Sequence, residues 1–252
     1  MSLFRQFIHA NVLVSKAVDR LLPAQLRIDG NKTFIAEYLP EAFSQGLTVY
    51  DLGGGSRPCV DLETKNSLQL TVVGVDISAD ELAAAPEGIY DRKIAADLCA
   101  FIGDGDADTV VCQALLEHVP DGAGAARAIA TTLKPGGRAY IFAPSRNALF
   151  ARLNLLLPQL LKQKLLFAVF PHKAKGHDGF IAYYDQCTPR ELEAHAAANG
   201  LIVRERRLFW TSSYFFSFAP AYFIWRIIQG VYYTIHQENA AETFIYVLEK
   251  PS

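Results

Sequence analysis

Five consecutive residues, Asp51-Leu52-Gly53-Gly54-Gly55, place an acid and three glycines at the end of the apolar run Leu47–Leu52. Glycines at a strand end let the backbone turn sharply and approach a ligand with no Cβ in the way. A plain tight turn would use the same residues, so the run needs support from elsewhere. Asp76 closes a second β-favouring run, Leu70–Val75, and Asp97 closes a weaker third around Lys93–Ala96. An acid roughly twenty residues past such glycines suits the two hydroxyls of a ribose. An acceptor at the next strand end could meet an adenine amino group. Each Asp alone could cap a helix. Three at successive strand ends describe one ligand lying along the carboxyl edge of a parallel sheet, where open α/β folds bind.

The elements that must hold these residues alternate. Further strand-like runs are Thr109–Cys112, after the turn-rich GDGDAD, and Arg138–Ala143, after LKPGG. Helix-like stretches separate the runs, and strand–helix–strand alternation implies crossovers and a parallel sheet covered on both faces. The chain opens with an amphipathic helix to about Leu22, followed by a second helix over Asn31–Phe43 closed by Gly46. Thr188–Asn199 is well punctuated: Thr188 caps it, Pro189 suits its first turn, Glu191 completes a capping box and Gly200 stops it. Ile202–Phe209 and Glu242–Glu249 are two more strands.

In this order, VYDLGGG, VGVD, AADL, ADTVVCQALLEHVPD and LKPGGRAYIFAPS resemble the successive motifs of the class I S-adenosylmethionine-dependent methyltransferases, type 11-like members among them. The resemblance is close over about Leu47 to Ser145 and looser after Thr188. It implies a Rossmann-like α/β fold with a seven-stranded, mostly parallel sheet, its last strand antiparallel, and helices on both faces. It also implies S-adenosylmethionine as cofactor and S-adenosylhomocysteine as product. Carried over by motif position, Asp51, Gly53 and Gly55 line the methionine part of the cofactor and Asp76 holds the ribose. Asp97, with Leu98 beside it, meets the adenine, and Gln113 and Ala114 face the sulfonium. Gly54 and Ile77 complete the cofactor set. The continuation Ser56-Arg57-Pro58 is less common and most resembles members acting on sugars, polyketides or lipids. A dinucleotide is disfavoured, because Pro58 stands three past Gly55, where GxGxxG wants glycine.

A sulfonium is a strong electrophile, so the enzyme mainly positions the reactants, and a base is needed only if the acceptor must lose a proton. Three histidines are candidates: His118 in LLEHVPD, and His172 and His177 in PHKAKGHDGFIAYYD. His177 is favoured because Asp178 adjoins it and could orient a nearby imidazole. A loop-closing role for His118 and a solvated loop position for the other two are the plain alternatives. Tyr183, Tyr184 and Asp185 are expected to shape the same pocket.

One domain, 1–252, accounts for the whole chain: N-terminal helices over 1–46, a cofactor-binding core over 47–145, and a helical cap from insertions 146–187 and 210–241. The first insertion contains ALFARLNLLLPQLLKQKLLFAVF. The second carries Trp210, Tyr214, Phe215, Phe216, Phe218, Tyr222, Phe223, Trp225, Tyr232 and Tyr233. Both should sit over the site, since the exits of the fifth and sixth strands share an edge. An apolar, aromatic cap implies an apolar acceptor, a membrane surface, or both. Peripheral membrane contact is expected through 148–170 and 210–235, with Arg204, Arg206, Arg207, Lys162, Lys164, Lys173 and Lys175 as headgroup partners. A dry cap or a dimer interface is the competing expectation. Pro220 and Arg226 interrupt Leu208–Ile235, which is therefore not read as a membrane span, although an interfacial helical hairpin would fit.

The 252 residues are 51% hydrophobic and 20% charged, which argues against disorder. A net charge of −2 gives no global pull toward nucleic acid, and any basic patch must be local. Cys59, Cys99, Cys112 and Cys187 form no metal-ligand spacing, so no metal and no disulfide framework are expected. The N-terminus mixes charges into its apolar residues, which fits a cytoplasmic protein, possible at the inner face of the membrane, better than a secreted one. The function expected is methyl transfer, to oxygen, on an apolar or lipid-linked small molecule. Two alternatives stand beside it: an inactive member of the fold serving as an interaction module, and a methyltransferase acting on a macromolecule. Against the last, CQAL stands where base-modifying enzymes carry [DN]PP[YF].

Overall fold

The computed structural model describes residues 3–156, 181–211 and 215–252. Helix α1 covers Leu3–Asp19, and a helical stretch, α2, runs over 30–42. The sheet and its crossovers follow: β1 (Thr48–Leu52), α3 (Leu62–Ser67), β2 (Thr71–Asp76), α4 (Ala79–Ala83), β3 (Arg92–Ala95) and β4 (Ala107–Gln113). Next come α5 (Gly122–Thr132), β5 (Leu133–Pro144), α6 (Leu149–Leu156), α7 (Pro189–Ala198), β6 (Ile202–Phe209), α8 (Ala219–His236) and β7 (Thr243–Glu249).

The strands form one seven-stranded sheet in the order β3-β2-β1-β4-β5-β7-β6. The pairs from β3 through to β5 are parallel, and β7 lies antiparallel between β5 and β6. Order reverses at β1, whose neighbours are β2 and β4, so the switch point lies between β1 and β4. Two apolar layers cover the sheet because successive side chains point to opposite faces. Val49, Val72 and Val111 pack with Phe34, Leu39 and Leu82 on one face. Tyr50, Val73 and Val110 pack with Ile129 and Leu192 on the other.

Local departures from the sequence reading have physical causes. The second helix begins one residue earlier than expected, because Asp29 caps it by accepting from Lys32 N at 3.1 Å. Its middle, Phe34–Tyr38, is a π-helix followed by Leu39–Ala42. Pro40 has no N–H for the carbonyl four residues back, and the preceding turn widens around it. β5 starts at Leu133, so the LKPGG turn is absorbed into an irregular strand paired at Ala107. The capping box of α7 forms as expected, with Thr188 Oγ1 accepting from Glu191 N at 3.3 Å and donating to Glu191 Oε2 at 2.7 Å.

Among the described residues of the second insertion there is one long helix, α8, rather than a hairpin. Its inner face buries Tyr222 and Trp225, which stack on Phe216 and Phe215 at 5.0 and 5.6 Å. Arg226, 8% exposed at its side chain, pairs with Asp19 of α1. It also donates to the Trp210 carbonyl at 2.8 Å and the Leu26 carbonyl at 3.0 Å. A cation that looked like an interruption of an apolar run is therefore the bolt between α8 and α1. No described helix is long and apolar enough to cross a membrane.

Candidate cofactor and active site

The switch-point edge gathers the glycine turn, the ends of β2 and β4, and the start of α2. Gly53 and Gly55 both take positive φ, +76° and +48°. These are conformations that L side chains rarely adopt. A Cβ at Gly54 would stand 2.0 Å from Asp51 Oδ2 and 2.6 Å from the Tyr90 hydroxyl. The chain therefore lies pressed onto the Asp51 side chain.

Asp51 is 2% exposed and spends its carboxylate internally. Oδ2 accepts from the Cys59 amide at 2.8 Å and from the Tyr90 hydroxyl at 2.9 Å. Burial pushes its pKa up to about 6, against the pull of those donors. The family resemblance implies a place for Asp51 along the methionine part of a cofactor; in the structure its carboxylate lies underneath the turn and shapes it. Tyr90 was not foreseen. Its trace in the sequence is Gly74 in VVGVD, where a Cβ would come within 2.9 Å of the Tyr90 ring.

Asp76 stands at the end of β2, and a Cβ on Gly55 would lie 3.0 Å from its Oδ2. Its Oδ1 accepts from Ser78 N at 2.8 Å. Desolvation, with Glu81 nearby, raises its pKa. A half-buried carboxylate of this kind is suited to accepting from hydroxyl donors. The adjacent Ile77 is 67% exposed and offers an apolar platform. Asp97 is exposed and accepts from Cys99 N at 2.9 Å. Leu98, by contrast, packs into the core at 6% exposure, so its side chain is turned away from the open edge.

At the last residue of β4, Gln113 Nε2 donates to Asn31 Oδ1 at 3.0 Å, tying the strand end to the first turn of α2. Gln113 also lines a cavity of about 490 Å³ between α2 and residues 58–62. Ala114 takes a left-handed φ of +52° and donates to the Phe142 carbonyl at 2.8 Å. A non-glycine residue held there is strained, a feature that concentrates at functional sites.

His118 ends the short 3-10 turn Leu116–His118. Its Nδ1 lies 3.1 Å from the Ile181 carbonyl oxygen. A carbonyl only accepts, so Nδ1 carries the proton and the basic lone pair is on Nε2. Burial lowers its pKa below the ordinary 6.5, which keeps the ring neutral at pH 7. Glu117 was not singled out in the sequence. It is 5% exposed, and burial pushes its pKa up to about 8. Its backbone carbonyl accepts from Tyr183 N and Tyr184 N at 2.8 and 2.9 Å, fastening that segment to the turn that follows β4. Asp185 accepts from Gly122 N at 3.0 Å. His172, His177 and Asp178 lie outside the described residues.

The arrangement fits S-adenosylmethionine on this chain's own geometry: a glycine turn with no room for Cβ atoms, an acid at the β2 end awaiting hydroxyl donors, and an exposed Ile77 beside it. When bound, that cofactor supplies an activated methyl on a sulfonium.

The sequence profile of the family described as "Methyltransferase domain" matches residues 18–203. Among related proteins, the ubiquinone biosynthesis O-methyltransferase of Aeromonas salmonicida is 30% identical over 168 residues, covering 64% of this chain and 65% of that protein. That of Ralstonia nicotianae is 34% identical over 163 residues, covering 62% and 63%. The chain thus spans just under two thirds of the length of these relatives. Among solved structures, an S-adenosylmethionine-dependent methyltransferase from Mesorhizobium loti superposes with a TM-score of 0.54 at 16% identity, over 89% of this chain and 100% of that one. Phosphoethanolamine N-methyltransferase 2 of Haemonchus contortus, in complex with S-adenosylmethionine, gives 0.54 at 16% identity over 100% and 61%. By the extent of the family match and by its sheet order, this chain belongs to the methyltransferase-domain family and has the class I, Rossmann-like fold.

Proposed function

We propose that the chain transfers the methyl group of S-adenosylmethionine to an oxygen of an apolar, lipid-linked small molecule. The observation that carries the reading is His118: a neutral imidazole four residues past the strained Ala114, on the edge that holds the cofactor residues. A phenol or alcohol gains nucleophilicity when a neutral base takes its proton as the new C–O bond forms. The related proteins named for O-methylation in ubiquinone biosynthesis support oxygen as the acceptor atom and a lipid-linked molecule as its carrier. Asp51 and Tyr90 shape the glycine turn, Asp76 binds, and His118 accepts the proton.

The test is an assay of the purified chain with S-adenosylmethionine against prenylated phenols and the same phenols without the prenyl chain, read by mass spectrometry. Mono-methylated products, faster for the prenylated set, are expected. S-adenosylhomocysteine binding that Asp76→Ala abolishes, with no product from any phenol, would leave the fold's cofactor site and remove the acceptor class.

A second observation favours contact with a membrane surface. Ile224, Ile227, Ile228, Val231 and Ile235 recur along one face of α8, at 59%, 68%, 43%, 56% and 67% exposure. The helix has no acidic residue. A face of this kind suits the plane of a bilayer interface. Of the expected contact segments, 157–170 and 212–214 lie outside the described residues. Co-sedimentation with phosphatidylglycerol vesicles that Ile227→Glu abolishes is the expected result; equal sedimentation of both proteins would exclude this face.

A further inference from the structure

A second cavity, of about 860 Å³, opens beside the carboxyl end of β5, and three arginines line it. Arg146 lies two residues past β5, Arg152 on α6, and Arg190 in the first turn of α7. All three are exposed. Six arginines elsewhere, Arg92, Arg138, Arg204, Arg206, Arg207 and Arg226, each pair with a carboxylate. Among the described residues, none of the three cavity arginines does. In a chain of net charge −2, three guanidiniums facing one carboxylate, Glu191, around one space are a local reversal of sign.

Within the cluster, Arg152 is held in place by neutral groups. Arg152 donates to Asn147 Oδ1 at 3.0 Å and to the Tyr232 hydroxyl, and its guanidinium lies 4.8 Å from the centre of the Tyr232 ring. Asn147 is anchored in turn to the Asn239 carbonyl at 2.8 Å. None of these contacts neutralises the charge. The acid in the lining, Glu191, accepts from the neutral Thr188 hydroxyl and offsets one of the three charges, which leaves the lining net positive. Like charges drawn together raise the energy of the folded state unless an anion joins them. Guanidinium forks match the paired oxygens of carboxylate and phosphate. At the same mouth stand Leu155 and Leu156, 40% and 80% exposed.

We propose that this cavity binds the carboxylate or phosphate of an amphiphile, with its hydrocarbon on Leu155 and Leu156. The site stands on its own geometry and does not require methyl transfer. Where that reading holds, the cavity shares the sheet edge with the cofactor residues and orients an anionic acceptor.

Calorimetric titration of the full chain with octyl phosphate, octanoate and octanol tests it. Both anions are expected to bind at least roughly tenfold more tightly than octanol, the factor of about one charge-assisted hydrogen bond. The double variant Arg146→Gln, Arg190→Gln is expected to lose that advantage, as is Arg152→Gln alone. Arg138→Gln, six residues before the carboxyl end of β5 and outside the lining, is expected to keep it. S-adenosylhomocysteine titration of the same variants monitors the fold, and its failure in the wild type would sink the methyl-transfer reading while leaving this one standing. Phosphatidylglycerol vesicles distinguish the source: loss of vesicle binding by the double variant supports a bilayer headgroup, and loss of octyl phosphate binding alone supports a free amphiphile. Equal affinity for octanol and octyl phosphate, or anion binding unchanged in folded variants, would overturn the proposal.

Discussion

The Tyr90 hydroxyl donates to the Asp51 carboxylate at 2.9 Å, directly beneath the Gly54 backbone. The glycine turn is thus moulded on a buried pair, one partner from the end of β1 and the other from the loop leading into β3. Gly54→Ala is expected to force that carboxylate aside, since its Cβ would lie 2.0 Å from Oδ2. S-adenosylhomocysteine affinity should fall by more than about tenfold. Tyr90→Phe leaves the space but removes a donor from a buried acid, at about 1–3 kcal/mol. Urea denaturation of Tyr90→Phe and titration of Gly54→Ala would check the two effects separately.

Stability should decline as pH rises from about 5 to 8.5. Burial raises the native pKa of Asp51 to about 6, of Glu242 to about 7 and of Glu117 to about 8. Their ordinary values are 3.8, 4.5 and 4.5. Between those limits the native state holds protons that the unfolded chain has released, so stability is fullest at the acid end and is lost through each raised value. His118, with a lowered pKa, acts in the opposite sense below pH 6.5. Glu117→Gln and Glu242→Gln should flatten the decline, each kcal/mol appearing as roughly 2–4 °C in Tm. Melting curves of the three proteins at pH 6 and 8.5 provide the measurement; parallel shifts in all of them would refute the assignment.

Substituting His118 separates chemistry from binding. His118→Gln is expected to reduce kcat by about 10²–10⁴ at pH 7 and leave S-adenosylhomocysteine affinity within about twofold. Because its pKa is lowered, the acid limb of the wild-type kcat profile should lie below pH 6.5 and vanish in the variant. A merely structural histidine would instead lower binding and Tm together.

Breaking the Arg226–Asp19 pair should be costly. Both side chains are at most 10% exposed, so removing either partner strands a buried charge. Asp19→Asn and Arg226→Met are each expected to cost about 3–5 kcal/mol. Loss of α1 protection in hydrogen exchange would locate the damage, and unchanged exchange in α1 would argue against the bolt.

Much of the core was legible from local pattern. Short apolar, β-favouring runs at Leu47–Leu52, Leu70–Val75 and Thr109–Cys112 specify strands, and the parallel sheet follows because helices separate them. The Thr188–Glu191 box was readable because both partners are three residues apart. The antiparallel final strand came by resemblance rather than from any residue. Leu98 shows the limit of position-by-position transfer: its place beside Asp97 was right, but its side chain belongs to the core.

The sequence by itself determined where strands end in acid and glycine, because turn chemistry and alternation are local properties. Only the tertiary structure decided what those side chains face. Asp51 lies beneath the turn because Tyr90, thirty-nine positions away, reaches it through the gap left by Gly74. Glu117 carries a raised pKa because the fold buries it, and nothing adjacent in sequence signals that burial. Arg226 pairs with Asp19 across 207 positions, and Arg146, Arg152 and Arg190 converge on one cavity from three separate elements. Burial, charge pairing and the lining of cavities depend on contacts between distant segments, and those exist only once the chain has packed.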